Sequence, residues 1–203
     1  MAICGREDEE LQSARTALSR KHPGQVTALA CDVSKLEDVK AFVETVAAKS
    51  GVNILVNNAG IGITTPFDEL SPDEWYTTIN INLTGVFHLC HCVVPIMKKM
   101  GGGDIVNISS RSARNPHIGG AAYCASKFGL NGLSEVLQLD LRKHRIRVSS
   151  IMPGRVSTNF AGEAPQDWHV APEDVAQAVV DALKLPSRTF MGRLELRPSF
   201  PPG

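Results

Sequence analysis

Short β-rich apolar runs alternate with longer helical stretches along the whole chain, the pattern of a parallel α/β sheet. Ala2 to Cys4 is a short apolar run stopped at Gly5, and residues 8 to 20 follow with Leu11, Ala14 and Leu18 on one helical face. Val26 to Ala30 is predicted as a strand ending at Asp32. Residues 35 to 49 are predicted as a helix with Val39, Phe42, Val43 and Val46 inward, and Ile54 to Val56 as a short buried strand. Ser71-Pro72-Asp73-Glu74 combines a capping serine, a first-turn proline and an acid three residues on, so a helix starts there. It runs to about Met100, where Gly101-Gly102-Gly103 ends it, and Pro95 predicts a kink or break. Asp104 to Ser109 reads as a strand, Ala122 to His144 as a helix, and Ile146 to Ile151 as a strand cut by Pro153-Gly154. No clear periodicity covers about 155 to 170. Pro172 then opens a helix to about Leu185, Arg193 to Leu196 is a last strand, and Pro198 to Gly203 is expected to fray.

Strands alternating with helical crossovers give a doubly wound parallel sheet, and ligands of such sheets bind beyond the carboxyl ends of the strands. The unusual residues of this chain fall there: Gly5-Arg6, Asp32, Asn57 to Gly60, Ser109-Ser110 and Pro153-Gly154. The 203 residues, 43% of them hydrophobic, suffice for one domain spanning 1–203, and no repeat or linker divides it. Lys plus Arg and Asp plus Glu balance at 21 each, which gives no electrostatic reason to expect nucleic acid or an anionic membrane as partner. The window from Ile79 to Met97 is apolar, but Asn80, Asn82, His88 and His91 mark it as a buried amphipathic helix rather than a membrane span. The five cysteines are odd in number and scattered, and Cys90 and Cys92 lack a partner at zinc-ligand spacing, so reduced, mostly buried thiols and no metal site are expected. MAICGREDEE is not a signal peptide. A soluble, cytoplasmic protein is the expectation.

Tyr123 and Lys127 stand one helical turn apart and share a face. A nearby ammonium favours the phenolate and is expected to lower the tyrosine pKa from its ordinary ~10, so that the phenol exchanges a proton with an alcohol or carbonyl oxygen. Taken alone, the pair also fits a solvated helix face. Ser110, at the end of the strand upstream, offers a hydroxyl that could hold a carbonyl oxygen beside the tyrosine, or could merely terminate the strand. A hydrolase with Ser110 as nucleophile is disfavoured because no Gly-x-Ser-x-Gly elbow is present.

Asn57-Asn58-Ala59-Gly60, Asn82-Leu83-Thr84-Gly85, Ile108-Ser109-Ser110, Tyr123-Cys124-Ala125-Ser126-Lys127 and Pro153-Gly154-Arg155-Val156-Ser157-Thr158 occur in this order. The set resembles the motifs of the short-chain dehydrogenase/reductase family over essentially the whole chain. The resemblance implies a Rossmann-like, three-layer α/β/α fold and an oxidoreductase that interconverts a ketone, aldehyde or 3-oxoacyl group and an alcohol with a nicotinamide cofactor. It implies that Tyr123 is the general acid or base, that Lys127 tunes it and holds the nicotinamide ribose, that Ser110 polarises the substrate oxygen, and that Asn82 positions a water in a proton relay. Asn58, Ala59 and Gly60 would line the adenosine ribose, and Pro153, Gly154, Val156 and Thr158 would border the nicotinamide. Asp32, followed by Val33, would cap the adenine, or Asp32 would only cap the turn into the next helix; the two readings stand equally. Arg6 suits a 2′-phosphate and favours NADP(H) over NAD(H), although four acids follow it. A homo-oligomer, dimer or tetramer, is implied through the helices near 72–100 and 122–144.

The family normally opens with a strand and a glycine-rich phosphate loop that this chain lacks, and that strand would lie centrally in the sheet. An N-terminally truncated domain, two unpaired strand edges, weak NADP(H) binding and marginal stability are therefore expected. A non-catalytic fragment of such an enzyme is the alternative. About a dozen residues separate Thr158 from Pro172, so a short lid with Phe160, Trp168 and His169 is expected over an open pocket also lined by His117, Ile118 and Cys124.

Overall fold

The apolar runs become six short strands joined by helices, seen in a computed structural model that describes residues 1–21, 23–162 and 164–200. The strands are β1 (Ala2–Gly5), β2 (Thr27–Ala30), β3 (Ile54–Asn57), β4 (Gly103–Ile108), β5 (Ile146–Pro153) and β6 (Arg193–Leu196). The helices between them are α1 (Asp8–Lys21), α2 (Leu36–Ser50), α3 (Pro72–Ile79), α4 (Gly85–Met100), α5 (Ala121–Leu141) and α6 (Pro172–Lys184). All pairings are parallel, in the orders β1-β2 and β3-β4-β5-β6. Among the described residues no ladder joins β1 to β3. Of the end expected to fray, residues 201–203 lie outside the described residues.

Each face of the sheet has its own apolar layer, giving a Rossmann-like α/β/α arrangement. One layer gathers Val39 and Val43 of α2, Val86, Leu89 and Val93 of α4, Leu130 of α5 and Ile105 and Val148 of the sheet. The other is carried by α6, whose Val175, Ala178, Val179 and Leu183 pack on Val106, Ile151 and Leu194. Successive strand residues alternate between these faces. That alternation corrects the expectation of a buried strand at Ile54–Val56. Leu55 and Asn57 face α4, while Ile54 and Val56 are 51% and 43% exposed, on the side where α6 covers only β4 to β6. In α1 only Leu11 is buried, and Ala14 is exposed rather than inward.

Ser71 opens α3 with the predicted capping box: its side chain accepts from the Glu74 N–H at 3.2 Å, and Glu74 accepts from the Ser71 N–H at 2.9 Å. The helix then continues without interruption to Met100, long and apolar enough to cross a membrane by length and composition alone. Here it is a core helix whose Ile81, Val86, Leu89, Val93 and Met97 are buried in the fold. Pro95 does not break it; α4 runs through that position. The irregularity lies at Asn80–Thr84, a π-helical turn.

Arg147 ties the far end of the sheet together. Register places it beside Asp104, and its Nε donates to the Asp104 carboxylate at 2.5 Å. Its guanidinium also donates to the carbonyls of Leu183, Leu185, Pro186 and Thr189 at 2.8–3.3 Å, a cation closing the C-terminus of α6. Arg147→Ala is expected to destabilise the fold by about 3 kcal/mol, because it strands a partly buried carboxylate and leaves carbonyls unpaired. Urea unfolding checks this, and a change below about 1 kcal/mol contradicts it.

Candidate active site

The ends of β3, β4 and β5 and the start of α5 converge on one point, and the π turn supplies its back wall. The extra residue of a π turn rotates one side chain out of helical register, and such turns recur at functional sites. Here the turn carries Asn82, which is fully buried. Its Oδ1 accepts from the Ile61 N–H at 2.8 Å and its Nδ2 donates to the Ile61 carbonyl at 2.9 Å, with a further 3.1 Å bond to Ser126. Asn82 thereby pins the loop after β3. A Cβ on Gly60 would stand 3.3 Å from Asn82 Oδ1 and 3.7 Å from Lys127 Nζ, so the loop backbone lies close against both side chains.

Lys127 is 5% exposed, and its Nζ donates to the Ile108 carbonyl at the end of β4 at 3.0 Å. Burial pulls its pKa down to about 8. The ammonium stands 5.7 Å over the Tyr123 ring centroid, at the face of the ring. Burial pushes the Tyr123 phenol above its ordinary range, and a hydrogen bond from Ser110 only partly offsets this. The expected lowering of the tyrosine is therefore reversed: desolvation wins in the protein alone. Ser110 also accepts from the Ser112 N–H at 3.1 Å, capping the short turn Arg111–Ala113, so it both terminates the strand and faces the phenol. His117 and Phe160 flank Tyr123 with ring centroids 6.4 and 6.0 Å away. Ile118 is 94% exposed and offers no wall. Trp168 and His169 pack edge to face on each other, with Arg155 over Trp168.

A cavity of about 120 Å³ opens where β1 and β2 end, lined by Cys4, Gly5, Arg6, Cys31, Asp32, Val33, Ala59, Gly60, Ile61 and Ile81. It brings Arg6, Asp32, Val33, Ala59 and Gly60 together, as the sequence implied. Asn58 is exposed and outside it. Asp32 Oδ1 accepts from the Ser34 N–H at 3.0 Å and from its hydroxyl at 2.7 Å, so the turn-capping reading holds while the carboxylate still faces the cavity. Burial raises that carboxyl, but the Ser34 bonds, then the Arg6 and Lys35 charges, hold it below the usual range. Val33 is fixed by α4: a Cβ on Gly85 would come within 2.8 Å of Val33 Cγ2, and His88 Nδ1 lies 3.1 Å from the Val33 carbonyl. Pro153 ends β5. Val156 bridges to Val170, and Thr158 Oγ1 accepts from the Phe160 N–H at 3.3 Å, which shapes the segment between the two regions.

The sequence reading missed a buried polar layer beneath these groups. Asn131 Oδ1 accepts from Ser109 at 2.8 Å and Ser150 at 3.1 Å. Asn57 donates to Asn107 at 2.7 Å, and Asn107 to Ser134 at 2.8 Å. Polar residues inside otherwise apolar strands were the available signal.

The buried ammonium, the phenol and the hydroxyl thus stand at the carboxyl ends of the strands, where open α/β sheets bind their ligands. Residues 1–168 match the short chain dehydrogenase family. Sepiapterin reductase of Chlorobaculum tepidum is 33% identical over 175 residues, covering 84% of this chain and 72% of that protein. The alcohol dehydrogenase of the archaeon Thermococcus sibiricus, solved with 5-hydroxy-NADP, superposes with a TM-score of 0.91 at 27% identity, covering 100% of this chain and 87% of that one. A metagenomic short-chain oxidoreductase solved with NADP gives a TM-score of 0.86 at 31% identity, with 98% and 86% covered. This chain belongs to the short chain dehydrogenase family, whose members are oxidoreductases acting on alcohol and carbonyl groups.

Proposed function

We propose that this chain is an NADP(H)-dependent oxidoreductase that interconverts a ketone, aldehyde or 3-oxoacyl group and the corresponding alcohol, with Tyr123 as general acid and base. The observation that carries this reading is the convergence of the Ser110 hydroxyl and Lys127 ammonium on Tyr123, with the Gly60 backbone against Lys127. In carbonyl reduction the Tyr123 hydroxyl donates its proton to the substrate oxygen, and its raised pKa keeps it protonated for that purpose. Ser110 donates to the same oxygen as charge develops there. Lys127, anchored on the Ile108 carbonyl, holds positive charge beside the tyrosinate left behind, and Asn82 keeps the loop in place, with a water beside it as proton relay. The nicotinamide supplies the hydride when bound.

The cavity at the ends of β1 and β2 fits the adenosine half of such a cofactor. Gly60 gives the backbone access, Asp32, Val33 and Ala59 form the walls, and Arg6 supplies a cation for a 2′-phosphate. Pro153, Gly154, Val156 and Thr158 border the nicotinamide side. The NADP and 5-hydroxy-NADP held by two similar structures support this choice. Arg6→Ala is expected to cut the preference for NADPH over NADH about 10- to 100-fold, the scale of a charged hydrogen bond. An unchanged ratio of the two dissociation constants removes Arg6 from the site. Exposed Phe87, Phe128, Val136 and Leu139 on α4 and α5 support a homo-oligomer.

Fluorescence titration with NADPH, followed by its oxidation in the presence of a small β-keto ester, tests the reading. Micromolar binding with turnover supports it. A folded sample that binds neither NADPH nor NADH supports the alternative, a non-catalytic form.

A further inference from the structure

The ends of β1 and β2 bring two thiols together on the wall of the cavity there. Cys4 pairs in register with Leu29, and side chains two apart along a strand share a face, so Cys4 and Cys31 are same-side neighbours one pleat apart. The Cys31 N–H donates to the Gly5 carbonyl at 3.0 Å, which holds this spacing. Both thiols line the cavity beside Arg6, Asp32 and Gly60, and both belong to one apolar cluster. All five cysteines are free, but the other three have different surroundings. Asn57 bonds Cys90, Lys40 faces Cys92, and Cys124 lies by His117.

We propose that Cys4 and Cys31 are a modification site: under a two-electron oxidant such as hydrogen peroxide they close to a disulfide on the cavity wall, and a nucleotide in the cavity shields them. Cys4 is the less buried of the two and reacts first. Its sulfur attacks one peroxide oxygen; an S–O bond forms, the O–O bond breaks, and the thiol proton leaves with the departing oxygen as water. The Cys31 sulfur then attacks the sulfenic sulfur. The S–S bond forms, the S–O bond breaks, and the Cys31 proton leaves with a second water. Two thiols lose two electrons and two protons, and one peroxide becomes two waters.

Geometry and chemistry both make this a slow, conditional step. On parallel strands ~4.8 Å apart that rise ~3.3 Å per residue, such diagonal neighbours sit about 8 Å apart at Cα, against about 4.4–6.8 Å in a disulfide. One strand end must therefore draw in, and Cys31, one residue beyond the end of β2, is the end able to do so once its bond to the Gly5 carbonyl opens. Burial raises both thiols, Cys31 to about 12, while a hydrogen bond from Cys31 eases the rise at Cys4. Closure should therefore accelerate as pH rises above neutrality, as the thiolate fraction grows.

The test treats the reduced full chain with hydrogen peroxide at about pH 8, alkylates it in denaturant and maps the peptides by mass. The expected product is a linked Cys4–Cys31 peptide about 2 Da lighter than the two reduced peptides together. Cys31→Ser should abolish it and leave Cys4 trapped by dimedone as a sulfenic acid. Full alkylation of Cys4 and Cys31 while Cys90, Cys92 or Cys124 oxidises overturns the proposal. The shielding arm rests on the cofactor reading above: saturating NADPH should slow closure about fivefold or more. A pair that closes at the same rate with NADPH present keeps the disulfide and overturns the shielding, and an independent NADPH titration shows whether the cofactor reading falls with it.

Discussion

Lys127→Met is expected to make the folded protein more stable at pH 7 while removing its turnover. The ammonium is buried, and its pKa falls from an ordinary 10.5 to about 8. The folded state therefore holds fewer protons than the unfolded chain between about pH 8 and 10.5. In that window stability rises with pH, and below it the full penalty of about 3 kcal/mol is in force. Methionine removes the penalty but leaves the Ile108 carbonyl without its 3.0 Å donor, a loss of about 1 kcal/mol. A net gain of roughly 2 kcal/mol at pH 7 follows, shrinking and then reversing as pH rises through 8 to 10.5. Urea unfolding of both proteins at neutral and alkaline pH measures it. If Lys127 were an ordinary structural anchor, the variant would be the weaker protein at pH 7. Such a cost to the fold is what the charge proposed for Lys127 in the reaction would account for.

That cost explains which parts of the site were legible beforehand. Tyr123 and Lys127 on one face follow from helical spacing alone, and the capping box at Ser71 follows from four consecutive residues. The gathering of Arg6, Asp32 and Gly60 at one cavity follows from parallel strands ending on the same edge. What spacing cannot carry is burial. The direction of the Tyr123 shift depends on how much solvent reaches the phenol, so a rule about a neighbouring ammonium gave the wrong sign. The exposure of Ile54 and Val56 depends on how far α6 reaches across the sheet, and an apolar run reads the same on either face.

The π turn was hidden for a related reason. Proline is the familiar signal for helix irregularity, yet α4 passes Pro95 unbroken while the disturbance sits at Asn80–Thr84. No residue there breaks a helix by propensity. The two Ile61 backbone bonds and the Ser126 bond made by Asn82 accompany the turn, and all three are long-range in sequence. Asn131 is alike: its value comes from joining Ser109, just past the end of β4, to Ser150 on β5, a contact visible only once the strands lie side by side. Local chemistry is readable from local sequence; its support is assembled by the fold.

Tyr123→Phe is expected to lower kcat for carbonyl reduction by about 10³-fold, within the range of a single general acid. Phenylalanine keeps the ring against His117 and Phe160 and under Lys127, so the variant loses the hydroxyl and its Ser110 bond but not the packing. NADPH affinity should stay within about threefold, because the cavity proposed for the adenosine half is not lined by Tyr123. The phenol titrates above its ordinary value, which fixes the pH dependence of the parent protein. Reduction needs the protonated form and should hold steady through neutral pH, whereas alcohol oxidation needs the phenolate and should climb with pH. Both limbs should vanish in the variant. A variant that retains more than about a tenth of the parent kcat with an unchanged profile would mean that another group moves the proton, and the hydroxyl of Ser110, already beside the phenol, would be the first to test.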